Sequence, residues 1–207
     1  MNRIITISRE FGSGGREVGK RLAEALEIAY YDKEIITAIA EHSGLAEEYV
    51  QNILENKLTI YYPITYGRSF VSPYFFQDNL TKIMMSQHDI LQDLAGKSDC
   101  VIVGRCSDSI LAAKKPLKLF IYADMASKIK RCRAKAPEGE DLSDKELEKQ
   151  INKMNKGRAS YQKLFTDNKW GEKENYNLCI NTSGLVIKEI IPPLVDFANH
   201  WFGSAAR

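Results

Sequence analysis

The hydrophobic and polar positions of the chain fall into blocks whose periods predict strands and helices in turn. The opening block, residues 3–8, is a β-branched apolar run that predicts a strand. From Gly15 onward apolar residues return at helical spacing, starting with Val18 and Leu22, so we expect a helix to begin there. Further strands are predicted at 27–31, 100–103, 117–122 and 176–180. Further helices are predicted at 32–43, 46–56, 78–96, 124–135, 143–165 and 186–201.

Capping signals support these boundaries. The predicted N-caps are Asp32, Asp78, Asp124 and Ser143. Ser143 forms the pattern of a capping box with Glu146. Gly44 and Gly96 are expected to end the helices that precede them. Pro192 and Pro193 should kink or split the last helix.

The order of the elements predicts the fold class. Five strands separated by helices are typical of an α/β domain with a parallel, doubly wound sheet. In such sheets ligands bind beyond the carboxyl ends of the strands. Residues 57–77 do not follow either period and contain two aromatic clusters, so we expect an irregular excursion there. Its aromatic part, 58–76, could mediate self-association into a homo-oligomer or fold back on the core, and both possibilities stay open.

The link between the first strand and the first helix has the composition of a phosphate-binding loop. It contains Gly12, Ser13, Gly14 and Gly15. Glycines let the backbone curl around an anion, and the N–H groups of the first helical turn point at it. The expected ligand is the β-phosphate of a nucleotide. An ordinary strand-to-helix turn would have the same glycines.

The loop departs from the Walker pattern G-x-x-x-x-G-K-[ST]. If the glycine turn is at 12–14, the lysine position holds Gly15, followed by Arg16, and Glu17 stands where a hydroxyl is wanted. Ser13 is a displaced candidate for magnesium. A second frame through Gly19 and Lys20 is rejected because it would place the loop inside a segment with helical periodicity.

Two other groups of basic residues follow strands or flank a turn. Arg105 follows the apolar strand 100–103, where its guanidinium could fork onto a phosphate or carboxylate, or pair with Asp108. Basic residues also precede and follow the turn that begins at Pro137, and they either form a solvated face or a lid that closes over a polyphosphate. They are Lys128, Lys130, Arg131, Arg133, Lys135, Lys153, Lys156 and Arg158.

Composition excludes several classes of protein. A chain of 207 residues with 44% hydrophobic content fits one α/β domain, and a net charge of +2 gives no indication of nucleic-acid binding. We find no apolar run of about 18 residues that would span a membrane, and no signal peptide is expected. The cysteines lack C-x-x-C spacing and the histidines are scattered, which argues against zinc and favours free thiols in the cytoplasm.

Taken together, these motifs resemble the cytidylate kinase-like family, relatives of bacterial cytidylate kinases among the P-loop nucleoside monophosphate kinases. The segments that carry the resemblance are ISREFGSGGREVGKRLA, YYDKEII, CVIVGRCSDSIL, KLFIYADMASKIKRCR, GRASYQ and WGEKENYNLCINTS. The resemblance implies a three-layer P-loop NTPase-type fold in a single domain over 1–207. Within it we expect a helical acceptor-binding insertion at 32–97 and a lid region at 131–158.

The resemblance also implies a reaction and the residues that perform it. ATP and Mg²⁺ would phosphorylate CMP, dCMP or a related small acceptor. Arg16, Arg131 and Arg158 are the implied catalytic residues. The implied contacts to the donor nucleotide are Gly12, Ser13, Gly14, Gly15, Arg16, Glu17 and Arg133. The implied contacts to the acceptor are Asp32, Arg105, Asp108 and Asn155. No metal ligand is assigned.

The chain departs from cytidylate kinases at informative positions. Gly15 replaces the loop lysine, and Arg16 is a candidate for its charge, although a guanidinium and an ammonium differ in reach. Asn155 replaces an acidic residue of the lid helix, and Asp32 lies in a remodelled acceptor segment. Two hypotheses therefore remain: an active phosphotransferase, or a nucleotide-binding protein without efficient chemistry that acts as a sensor or partner.

Overall fold

The computed structural model describes residues 2–55, 73–137 and 142–205, without the side chains of 55, 73–76 and 204–205. Within these ranges the backbone forms a five-stranded parallel sheet in the order β2-β3-β1-β4-β5. The strands are β1 Ile4–Arg9, β2 Ala29–Tyr31, β3 Cys100–Val103, β4 Leu117–Tyr122 and β5 Leu178–Asn181. The predicted α/β fold with a parallel sheet is therefore confirmed.

Helices connect the strands. They are α1 Gly15–Leu26, α2 Glu34–Ser43, α3 Glu47–Glu55, α4 Pro73–Lys97, α5 Ser107–Ile110, α6 Met125–Ala134, α7 Asp144–Gln162 and α8 Ile191–Ala205. Short 3₁₀ turns lie at Ala112–Lys114, Lys173–Asn175 and Ile187–Ile190. No helix of the described ranges is long and apolar enough to cross a membrane.

The core lies on both faces of β1, which is buried along its whole length. Ile5 and Ile7 point to one face and pack with α1 and α8, whereas Ile4 points to the other and packs with α2 and α4. Ile7 is in register with both Val103 of β3 and Leu119 of β4. The carboxyl ends of the three central strands therefore lie side by side, and the segments that follow them share one edge of the sheet.

Most predicted boundaries agree with the structure. Helix α1 begins at the predicted residue, strands β3 and β4 have the predicted bounds, and Asp124 caps α6 by accepting the Ser127 N–H. The capping box of Ser143 with Glu146 is present. Gly44 ends α2 in the left-handed conformation. The last helix is split, as expected, because a 3₁₀ turn precedes α8 and its prolines lie in the first turn of α8.

Two predicted N-caps are wrong, and α4 runs one residue past Gly96 to Lys97. Helix α2 begins at Glu34 after Lys33, and the carboxylate of Asp32 turns toward arginines instead of capping it. Asp78 lies inside α4, which begins at Pro73, so the prediction of irregular backbone fails for 73–77. The rest of that segment and the proposed self-association through 58–76 lie outside the described residues and side chains. Asp32 has arginine partners that outweigh its capping preference, whereas Asp78 is an exposed residue of a helix that begins five residues before it.

Candidate functional site

The glycine loop between β1 and α1 curls at two residues of positive φ. Gly12 has φ +76° and Gly14, which directly precedes α1, has φ +83°. A side chain at Gly12 would begin 3.0 Å from the Lys128 carbonyl oxygen and 3.1 Å from the Cys132 Sγ. The N–H groups of the first turn of α1 have no partner within the helix. The loop thus presents bare backbone amides at the carboxyl edge of the sheet, as anion binding requires.

Contacts from distant parts of the chain hold the loop in shape. The Asn155 side-chain oxygen accepts the Phe11 N–H at 2.7 Å. The hydroxyl of Thr182, fully buried, donates to the Ser13 carbonyl oxygen at 2.8 Å. Ser13 is itself fully buried and its hydroxyl donates to the Glu10 carbonyl oxygen, so it is a structural residue rather than a metal ligand. Sequence reasoning missed Thr182, which follows the edge strand β5.

A buried ion pair fixes the start of the loop. Lys128 Nζ lies 2.9 Å from Glu10 Oε2, and the lysine side chain is 8% exposed. The same carboxylate oxygen accepts the Ala123 N–H at the end of β4. Lys128 belongs to a run of basic residues whose spacing gave no reason to separate it from its neighbours. The structure separates it, because Lys128 points inward and supports the loop.

A cleft of ≈ 470 Å³ opens in front of the loop and is strongly basic. Its described lining includes the loop itself, together with Arg9, Arg16, Arg131, Arg133, Lys135 and Arg158. The described carboxylates in the lining are Glu10, which pairs with Lys128, and Glu17, which pairs with Arg21 and Lys135. The cleft brings together the predicted loop, Arg16, Glu17 and the predicted lid arginines. An excess of guanidinium groups beside open backbone amides suits a polyphosphate.

The lid arginines are held differently. Arg131 donates to the Thr182 carbonyl and hydroxyl oxygens and to the Leu185 carbonyl oxygen. Arg133 pairs with Asp144 at 2.6 Å near the mouth of the cleft. Arg158 donates to the Arg9 carbonyl oxygen at 2.8 Å and stacks over the Phe11 ring. Arg158 therefore reaches the strand end from which the loop starts.

Asp32 faces two arginines at the strand ends. Its carboxylate lies 2.7 Å from Arg16 Nε and 3.7 Å from Arg9 Nη2. Asp32 and Arg9 are each 7% exposed, whereas the Arg16 side chain is 42% exposed. Burial lowers the pKa of Arg9 well below its ordinary value, helped by the positive charges of Arg158 and Arg105 and opposed by Asp32. Sequence reasoning did not single out Arg9.

The turn after β3 holds Arg105 in a strained conformation. Gly104, Arg105 and Cys106 all have positive φ, at +73°, +59° and +50°. The Gln87 side chain donates to the Arg105 carbonyl oxygen at 2.7 Å, and the Tyr161 hydroxyl donates to Gln87 at 2.8 Å. Left-handed backbone at residues other than glycine is costly and persists where surrounding contacts enforce it. Gln87, fully buried in α4, is a further site residue that sequence reasoning missed.

A smaller cavity of ≈ 30 Å³ lies on the other side of Arg9, between the ends of β1 and β3. It is lined in part by Arg9, Arg105, Arg158 and Tyr161. Asp108 does not line either cavity and is 4% exposed within the N-terminal turn of α5. Burial raises its pKa, partly opposed by Lys118 and by backbone N–H donors. The structure thus brings Asp32 and Arg105 to one edge, while Asp108 lies beneath it.

The side chains of the site suit a metal ion that binds together with a phosphate ligand. Over the described ranges, no three His, Cys, Asp or Glu side chains are close enough to hold an ion. The four cysteines are free thiols, as predicted. Magnesium is commonly held by substrate phosphates, water and one or two carboxylates, so a site without a cluster of protein ligands among the described residues is compatible with magnesium that binds together with a phosphate ligand.

Comparison with known proteins gives a family and a fold. The model of the cytidylate kinase-like family matches residues 4–184. No curated protein matches the chain. A crystal structure of an uncharacterized protein from Eubacterium ventriosum is similar, with 27% identity and a TM-score of 0.69 over 96% of this chain and 99% of that one.

Shikimate kinases share the fold at low sequence identity. The enzyme from Bacteroides thetaiotaomicron is 14% identical with a TM-score of 0.56, covering 94% of this chain and 97% of its own. The enzyme from Acinetobacter baumannii, solved in complex with shikimate, is 13% identical with a TM-score of 0.51, covering 95% and 93%. At these identities the likeness concerns the fold alone, which is that of the P-loop kinases.

Proposed function

Because the chain belongs to the cytidylate kinase-like family, we propose that it is a phosphotransferase that moves the γ-phosphate of ATP to CMP, dCMP or a related small acceptor. The observation that carries this proposal is the basic cleft in front of the glycine loop. It offers backbone amides and guanidinium groups on the same wall, which is what a triphosphate tail requires.

The donor would lie with its phosphates on the loop. The backbone N–H groups of Gly14, Gly15 and Arg16 would donate to phosphate oxygens at the positive end of α1. Arg158 and Arg16 line the same wall, and we assign them to the transferred phosphoryl group. Arg131 and Arg133, on α6, are candidates for the nucleotide itself. Magnesium would bind together with the nucleotide phosphates and would supply neutralisation of their charge.

The acceptor would approach from the ends of β2 and β3. Arg105 is held there by its strained turn, and Asp32 lies across from Arg9 at the same edge. An acceptor oxygen attacks the γ-phosphorus, the bond from that phosphorus to the bridging oxygen breaks, and ADP leaves. The basic side chains stabilise charge on the transferring group while the surrounding side chains exclude water.

A second candidate function is nucleotide binding without efficient transfer, as in a sensor or a partner protein. The absence of a lysine at position 15 is the observation that favours it. In that case the cleft would bind ATP but no acceptor would support release of ADP.

A coupled assay of ADP release separates the two functions. ATP is supplied with CMP, dCMP, UMP or AMP, and with non-nucleotide acceptors that include shikimate, because the fold is shared with shikimate kinases. We expect turnover with at least one acceptor, and cytidine monophosphates are the first choice. Binding of ATP without turnover for any acceptor would refute the kinase and leave the binding protein.

A further inference from the structure

The side chain of Arg9 lies in a groove that two glycines from different elements create. A side chain at Gly15 would begin 2.5 Å from Arg9 Cβ and 2.9 Å from its Cγ. A side chain at Gly104 would begin within 3 Å of the guanidinium carbon of Arg9, directly over one of its nitrogens. Both glycines therefore leave room for one arginine, whose stem passes α1 and whose head reaches the turn after β3.

The sequence pattern explains what this arginine replaces. In the frame that puts the lysine of the Walker pattern at position 15, the first glycine of that pattern falls at position 9. This chain has the opposite arrangement, with Arg9 at the glycine position and Gly15 at the lysine position. The two side chains would start in the same space, so a cation can be carried by residue 9 or by residue 15 but not by both.

The surroundings of Arg9 leave its charge largely uncompensated. The residue is 6% exposed, and its Nε has no hydrogen-bond acceptor among the described residues. Arg16, Arg105 and Arg158 all contribute positive charge at Arg9, and Asp32 is the carboxylate that opposes them. The contact to Asp32, at 3.7 Å, is longer than a hydrogen bond. A buried guanidinium group in this condition favours an incoming anion.

We propose that Arg9 is the phosphate-binding cation of this chain and takes the charge role that the lysine has in the Walker pattern, with the polyphosphate tail of a nucleotide as its ligand. This deepens the proposed function and rests on it for the identity of the nucleotide. Arg9 lines both the larger cleft and the smaller cavity behind it. Arg9 is therefore shared by the donor and acceptor sides, whereas the more exposed Arg16 lines the larger cleft.

The direct test measures binding, not turnover. Dissociation constants for ADP and for inorganic tripolyphosphate are measured by calorimetry for the parent protein and for Arg9→Met. We expect affinity to fall about ten- to hundredfold, the range for a charge-assisted hydrogen bond. Lys20→Met is the matched control, because Lys20 lies on α1, pairs with Glu24 at the surface and does not line the cleft. It should change affinity less than about threefold.

A swap of residues 9 and 15 tests whether a lysine at position 15 can replace the charge of Arg9. Gly15→Lys alone should bind poorly, because its side chain collides with the stem of Arg9. The double variant with Arg9→Gly and Gly15→Lys removes the collision and restores the first glycine and the lysine of the Walker pattern, while Arg16 stays at the Ser/Thr position. We expect it to bind tripolyphosphate at least about tenfold more tightly than Arg9→Gly alone. This gain is specific to the proposal, since a purely structural arginine would not be replaced by a lysine on another element.

The outcomes separate this proposal from the proposed function. Unchanged tripolyphosphate affinity in Arg9→Met overturns it, as does a folded double variant that binds no better than Arg9→Gly. Failure of both variants to fold would assign Arg9 a structural role and also overturn it. If Arg9→Met weakens tripolyphosphate binding but no acceptor is phosphorylated, the proposed kinase activity is refuted and the proposed role of Arg9 in phosphate binding stands. If Arg9→Met phosphorylates an acceptor at the parent rate, the proposed kinase activity stands and the proposed role of Arg9 is refuted.

Discussion

The loop after β1 and the turn after β3 lie side by side at one edge of the sheet, but their backbones are built in different ways. In the loop, positive φ angles fall on Gly12 and Gly14, where they need no support. In the turn they fall on Arg105 and Cys106 in addition to Gly104, and the Gln87 side chain donates to the Arg105 carbonyl oxygen. The loop can therefore offer its own amides to a ligand, whereas the turn positions a side chain.

Arg9 connects the two regions. Its stem lies against the start of α1 and its guanidinium group covers Gly104. The contrast between the loop and the turn shows that glycine has two purposes in this site. At Gly12 and Gly14 it permits a backbone conformation, at Gly15 it makes space for an arginine, and at Gly104 it does both. Substitutions that change the backbone conformation and the free space separately can test this distinction.

The largest effect is expected for Gly104→Ala. A methyl group there would displace the guanidinium of Arg9, in addition to the strain of φ +73°. We expect a loss of about 2–4 kcal/mol in unfolding free energy, together with weaker tripolyphosphate binding. Chemical denaturation and calorimetry measure the two effects.

Gly44→Ala is the matched control for that prediction. Gly44 also has positive φ, at +69°, but nothing lies within 4 Å of the position of a side chain. Only the conformational penalty, about 1 kcal/mol, should appear, and ligand affinity should not change. Equal losses for the two variants would show that space for Arg9 has no energetic importance.

The next largest effect tests the support of the turn. Gln87→Leu removes the donor to the Arg105 carbonyl and leaves both that oxygen and the Tyr161 hydroxyl without their partner. We expect about 1–3 kcal/mol of destabilisation and a raised KM for the acceptor. Tyr161→Phe, which keeps the bond to Arg105, should lose about 1 kcal/mol or less. If Gln87→Leu changes neither stability nor KM, the turn is held by something else.

A smaller effect with a defined pH dependence is expected at Asp108. Because burial raises its pKa in the folded protein, this carboxyl group favours folding below its unfolded pKa of about 4, and that contribution is lost as pH rises through the folded pKa. Asp108→Asn should therefore raise the melting temperature at pH 7 by on the order of 2 °C. The gain should shrink as pH falls toward about 4. A melting temperature difference that is the same at both pH values would contradict the prediction.

The smallest effect belongs to Arg16→Ala. Its side chain is half exposed and already paired with Asp32, so its interaction with a phosphate is screened by water. We expect ATP affinity and turnover to fall about three- to tenfold, less than for Arg9→Met. Steady-state kinetics and calorimetry test this ranking. A larger loss for Arg16 than for Arg9 would reverse our assignment of the two arginines.

The parts of the fold and the site that could be predicted from the sequence are those that depend on residues close together in the chain. The period of α1, the apolar strands β3 and β4 and the glycines before α1 are local features, and the structure confirms them. The same holds for the capping box at Ser143. Arg105 was singled out because strand topology alone places it at the ligand edge.

The residues that sequence reasoning missed depend on distant partners. Thr182 contacts the Ser13 carbonyl from 169 positions away, and Lys128 contacts Glu10 from 118 positions away. Nothing in the local pattern distinguishes Lys128 from exposed lysines in the same run. Asp32 was mistaken for a cap for the same reason, since its arginine partners become visible only when β1, β2 and α1 are packed together.

The most direct test of the central claim is a crystal structure with ADP or a non-hydrolysable ATP analogue and Mg²⁺. We expect the β-phosphate within hydrogen-bond distance of the backbone N–H groups of Gly14, Gly15 and Arg16, with the guanidinium of Arg9 turned to its oxygens. Phosphates that lie away from this loop, or a nucleotide that leaves Arg9 on Asp32, would contradict it.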